Sequence, residues 1–169
     1  MRVKDRLIVG IISGVAGGVA ASAFNQAGEW LGWFKSDATA KAAAPFIGRR
    51  VRKPLGHAVG LANQATQAMA VGAMVTYALS LTGPRAAALK GMAVASMANS
   101  IVFGTLAATI GAQSREPRAA AGGLAAGLVM GAVTGCVAAR IGDPSLYNGE
   151  TPVLAPEVGR RSSVGVGER

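Results

Sequence analysis

Four stretches of this chain carry no Asp, Glu, Lys or Arg: residues 7–28, 54–84, 91–114 and 119–139, of 22, 31, 24 and 21 residues. About 20 predominantly apolar residues suffice for a helix to cross the hydrocarbon core of a bilayer, and each stretch is long enough. A helix on the outside of a soluble bundle needs a polar face recurring at helical spacing. None of the four has a charged one, so the rival reading, a soluble Ala/Gly-rich bundle, lacks the material for its own surface. Composition agrees: 15% of the 169 residues are charged, against about 25% in an ordinary soluble domain. The expected fold is all-α, a polytopic membrane protein built as a four-transmembrane-helix bundle with Gly/Ala-packed interfaces.

The expected helices span about 7–28, 55–81, 87–112 and 119–141, all in one domain over residues 1–141. The polar, Pro/Gly-rich remainder, 142–169, reads as a disordered tail. A basic start, an apolar stretch and the small residues Ala21, Ser22 and Ala23 also describe a secretory signal cleaved after Ala23. The uncharged stretch is longer than such a core, which favours a retained helix. Trp30, Trp33 and Phe34 follow it, where an interfacial aromatic belt belongs. Residues 35–53 form the longest connection, with Ser36 or Asp37 as a helix cap and Pro45 as a stop. It ends in Arg49, Arg50, Arg52 and Lys53, four cations in five residues, read as lipid-headgroup contacts. Thr82 to Arg85 and the "QSREPR" segment make short polar turns. Four crossings put both termini on one side. Basic residues fall eight against six on the two sides, a margin that leaves orientation undecided by the positive-inside rule. The "RRVRK" cluster places the first loop in the cytoplasm; the basic N-terminus argues the reverse.

Within the helices, small residues recur every fourth position, a spacing that aligns them on one face. The first helix has Gly10, Gly14, Gly18 and Ser22. The fourth has Ala119, Gly123, Gly127, Gly131, Gly135 and Ala139, and the second a weaker row of Gly56, Gly60, Gln64, Ala68 and Gly72. Lipid tails are as apolar as leucine, so bare faces that allow close backbone approach are what join helices in a bilayer. Gly10, Gly14, Gly18, Gly123, Gly127, Gly131 and Gly135 are therefore the expected packing residues, a glycine zipper. Two partners suit the fourth helix: the glycine face of the first helix, which is preferred, or the same helix of a second copy. A phosphate-cradling glycine loop needs a strand–loop–helix setting, and no strand is legible.

Polar residues at membrane depth are functional candidates. Asn25, Gln26 and Glu29 end the first helix; His57, Asn63, Gln64 and Gln67 begin the second; Asn99 lies midway along the third. They are expected to line a shallow polar cavity opening on the first-loop side, with Glu29 and His57 as titrating members. The competing account makes the amides interhelical hydrogen-bonding groups and leaves Glu29 and His57 touching interfacial water. No paired carboxylates or HExxH motif occur, so acid–base and metal chemistry lack their usual parts. No enzyme activity, cofactor or metal is expected. The net charge of +9 sits beside the apolar runs without interleaved aromatics, which points to a lipid bilayer rather than nucleic acid. Cys136, the single cysteine, reads as small packing material.

The Gly-rich first helix ending in "NQAGEWLGWF", the "APFIGRRVRKPLGHAVG" approach to the second helix, and the two short later connections resemble small four-helix bacterial inner-membrane proteins of uncharacterised families. The resemblance covers roughly residues 1–145 and rests on architecture. It implies a multi-pass bacterial plasma-membrane location and carries no activity. The expected role is structural, scaffolding or partner-binding, as a homo-oligomer or beside another membrane protein. The alternative is a small oligomeric transporter or channel using the cavity near Glu29, His57, Asn63 and Gln67.

Overall fold

A computed structural model describes residues 2–33, 54–110 and 117–149. Among them the chain is all-helical, with α1 (Arg6–Trp30), α2 (Pro54–Thr82), α3 (Ala87–Ile110) and α4 (Pro117–Ile141), followed by a short 3-10 helix, Pro144–Tyr147. The charge-free runs mark the helices closely, because each is flanked by turn residues or charge. Asp5 caps α1: its Oδ1 accepts from the Leu7 and Ile8 amides at 2.8 and 3.0 Å, satisfying donors that a helix start leaves open. Gly83, at φ 79°, closes α2 in the left-handed conformation, its N–H donating to Leu79 O at 2.8 Å. Lys90 reaches back from α3 and donates to the Thr82 and Gly83 carbonyls at 2.8 and 2.9 Å. That places a cation on the negative end of the α2 dipole and ties the start of α3 to the end of α2.

α1 is central. It packs extensively on both α2 and α4, and α3 packs mainly on α4, while α2 touches α3 and α4 less. Val9 and Ser13 of α1 are fully buried.

The glycine rows lie at helix contacts, but with other partners than those expected. The α1 row meets α2. A methyl group built on Gly10 would stand 2.6 Å from Ala73 Cα. One on Gly14 would overlap the Ala68 carbonyl oxygen and stand 3.1 Å from Gly72 Cα, and one on Gly18 would stand 2.9 Å from Ala68 Cβ. The α4 row meets α3: Gly131 lies backbone to backbone on Gly91, Gly135 on Ala87, and Gly127 receives the Asn99 amide. The preferred pairing of α1 and α4 by these two faces is thus corrected. Each row is filled by a helix near its own bare face, and α1 meets α4 through Gly17, one row over, which abuts Thr134 and Met130. Within the chain Gly123 meets no neighbouring helix, since a side chain there would find nothing within 4 Å. Cys136 is exposed rather than packed.

The tail expected to be disordered from residue 142 is ordered over residues 142–149. Val3 N–H donates to Ile141 O at 2.9 Å and Asp143 N–H to Val3 O at 3.0 Å, forming a parallel bridge between Val3 and Gly142. Leu146 and Tyr147 are buried, and the Tyr147 hydroxyl donates to Ala138 O at 2.5 Å. Burial pushes the Tyr147 hydroxyl pKa up. Gly149 N–H donates to Ser80 O at 3.0 Å, so this clasp ties the start of the chain, the end of α4 and the end of α2 together. Sequence composition suggested disorder because it registers "DPSLYNG" as turn-rich and polar; two apolar side chains and one backbone bridge suffice to fix it.

Asp143 lies in the clasp. The Ser145 backbone N–H and hydroxyl, with smaller help from Lys4 and Arg2, hold its carboxyl below the ordinary aspartate value. A depressed folded value means its stabilisation is complete above the unfolded value and is lost as pH falls through the folded one, below about 4. The protection of the Val3 and Asp143 amides, taken relative to the intrinsic exchange rate at each pH, is therefore expected to fall in acid. Asp143→Asn should flatten that acid dependence; an unchanged pH profile would contradict the assignment.

Among the described residues, two helical segments are long and apolar enough to cross a membrane, Arg6–Trp30 and Ala120–Ile141. α2 is diluted by His57, Asn63, Gln64 and Gln67, and the side chains of α3 are described only as far as Ile101. In their most apolar windows the two candidate segments are only 28% and 39% buried, whereas a soluble core helix is buried over most of its length.

Candidate functional site

The antiparallel register of α1 on α2, fixed by Gly10 beside Ala73 and Gly14 beside Ala68, carries the polar end of α1 toward the start of α2. Asn25, Gln26 and Glu29 thus share one end of the bundle with His57, Asn63 and Gln64. Their exposure separates them. Asn25, Asn63, Gln64, Gln67 and Asn99 are half-buried, while Gln26, Glu29 and His57 are exposed. The expected titrating pair is consequently not enclosed: both members sit on the surface. Asn99 stands apart from the end cluster, with its Nδ2 only 2.5 Å from where a Gly127 side chain would begin. It packs between α3 and α4, against the bare face of Gly127. The headgroup cluster Arg49, Arg50, Arg52 and Lys53, and the helical turn expected between residues 35 and 53, lie outside the described residues.

Sequence reading missed a set of buried hydroxyls. Ser13, Thr76, Ser80 and Thr134 are fully buried. Ser13 and Ser80 return their hydrogen bonds to their own helices, donating to Gly10 O at 3.1 Å and Thr76 O at 2.9 Å. Thr76 Oγ1 and Thr134 Oγ1, with Ser96 Oγ, are buried with no hydrogen-bond partner among the described residues. Thr134 presses its hydroxyl onto the bare Gly17 backbone. Apolar patterning hides these groups, because a single Ser or Thr barely alters the hydrophobicity of a 25-residue helix.

A shallow groove of about 550 Å³ opens between the C-terminal end of α1 and the first turns of α4, lined by Phe24, Trp33, Arg118, Ala121, Gly122 and Ala125. None of the expected cavity residues lines it. Among the described residues, no group of His, Cys, Asp and Glu is arranged to hold a metal ion.

This geometry defines a class: an all-α protein of small-residue helix contacts, with two segments long and apolar enough to cross a membrane. No family model, curated protein or solved structure matches the chain.

Proposed function

We propose that the chain is an integral membrane protein whose four helices all cross the bilayer, with a non-enzymatic structural, scaffolding or partner-binding role. One observation carries this reading: many of the chain's large apolar side chains lie on its outside, while its closest helix contacts use small residues. Ile8, Ile12, Val15 and Val19 on α1, Leu61 and Met74 on α2, Leu89 and Met97 on α3, and Leu124 on α4 all face outward. The closest backbone approaches between helices are made at Gly and Ala, with Val9, Val71, Val75, Leu79 and Met130 buried beside them. In water the large side chains belong inside, and exposed apolar patches on this scale mark interaction with membrane or protein. In a bilayer large apolar side chains can face lipid while small ones let backbones meet. Exposed Trp30 and Trp33 at the end of α1 suit the headgroup boundary. The resemblance to small bacterial inner-membrane proteins makes the bacterial plasma membrane the location we infer. The exposure of Glu29 and His57 favours the scaffolding role over a titrating transport path; the half-buried amides of α2 are what a transporter reading would build on.

Reporter fusions test the topology. Fusions at Phe34, Pro84 and Ser114 are expected to alternate between the two sides, with Phe34 and Ser114 together and Pro84 opposite. All three on one side would refute four crossings. Mild-detergent extraction followed by mass spectrometry of co-purifying proteins then tests partner binding, for which the expected result is a stoichiometric membrane partner or a second copy.

A further inference from the structure

The groove between α1 and α4 combines features that suit an amphiphile. Phe24 and the small residues Gly32, Ala121, Gly122 and Ala125 line it together with two side chains of mixed character, Arg118 and Trp33. Arg118 and Trp33 are exposed, and no acidic residue occupies the first turn of α4. The volume of about 550 Å³ lies within the range of small-molecule sites. Guanidinium matches a phosphodiester through paired donors, an indole N–H suits the ester region of a lipid, and small residues let an acyl chain lie close to the helix. We propose that this groove is a binding site for an anionic phospholipid, with Arg118 on the phosphate, Trp33 at the glycerol level and the proximal acyl chain along Phe24 and Ala125. The proposal rests on the membrane reading above. Charge complementarity selects the occupant: a zwitterionic lipid would bring its own cation toward Arg118, whereas an anionic lipid brings none.

The chain has two tryptophans, so Trp30→Phe leaves Trp33 as the sole reporter. The full-length Trp30→Phe protein is reconstituted into vesicles containing a small fraction of brominated phosphatidylglycerol, or the same fraction of brominated phosphatidylcholine. Trp33 fluorescence is expected to report about fivefold local enrichment of the anionic lipid. Arg118→Gln should abolish that preference, Arg118→Lys should retain part of it, and Arg85→Gln, at the opposite end of the bundle, should leave it intact. Equal quenching by both lipids would overturn the lipid site while leaving the membrane reading standing. Quenching by neither would remove the membrane reading as well. Competition by millimolar inorganic phosphate would also overturn the proposal, because the groove would then bind a free anion. Circular dichroism of each variant separates loss of binding from loss of fold.

Discussion

Val19→Asp is expected to expel α1 from the bilayer. Val19 lies near the middle of the helix and is 65% exposed. In a soluble protein a carboxylate at so open a position would be harmless and would improve solubility. At the centre of a membrane helix it costs about 2.5–3.5 kcal/mol on insertion scales. α1 also holds α2 and α4 together, so its loss should dismantle the bundle. The measurement is the fraction of protein resisting alkaline extraction from membranes, with Val19→Leu as the control. A Val19→Asp chain that remains fully integrated, or a wild type that is already soluble, would end the proposal that this surface faces lipid.

Gly14→Leu is expected to be nearly as damaging, for the opposite reason. At this position the obstacle is inside. The first carbon of the new side chain already overlaps the Ala68 carbonyl oxygen and lies 2.9 Å from the carbonyl carbon. Backbone cannot step aside as a flexible side chain can, so the cost should reach about 3 kcal/mol or more. Gly123→Leu makes the same chemical change on α4 where nothing lies within 4 Å, and it should leave stability nearly unchanged. Denaturant titration in mixed micelles, followed by the fluorescence of Trp30 and Trp33, reads both. Equal effects of the two substitutions would show that helix propensity, worth about 1 kcal/mol per glycine against alanine in water, governs these positions rather than close packing.

The contrast between Gly14 and Gly123 also marks how far sequence reading could go. The four helices were legible because absence of charge over 21 or more residues is a long-range pattern that few structures can use. The rows of glycine were legible as faces, since four-residue spacing alone fixes a helical stripe. Which face meets which was not. Gly10 and Gly131 look alike in sequence, and the choice between partners depends on the tight α2–α3 turn and on α1 lying between α2 and α4. Gly91 and Gly17, which receive or complete these contacts, were invisible for a related reason: each belongs to no long glycine row. The polar residues divided similarly. Periodicity put Asn25, Gln26 and Glu29 at the end of α1, but only the packing separates half-buried Asn25 from exposed Gln26 and Glu29. The groove at Arg118 had no linear signature, because its walls come from residues roughly a hundred positions apart.

The bridge between Val3 and Gly142 has a consequence for the order of assembly. Contacts between residues so far apart in sequence bear the full entropy of closing the intervening chain, and Gly142 is synthesised only after all four helices. The clasp can therefore close only once α4 exists, and it closes over a bundle whose neighbouring helices have had time to pair. With Tyr147 seated under Gly142 and Gly149 joined to Ser80, closure buries Leu146 and Tyr147. A chain halted before residue 142 keeps its first residues unpaired and its α2 terminus uncovered. The bridge thus distinguishes a chain that has passed residue 142 from one halted before it, at the same end of the bundle where the first residues are captured.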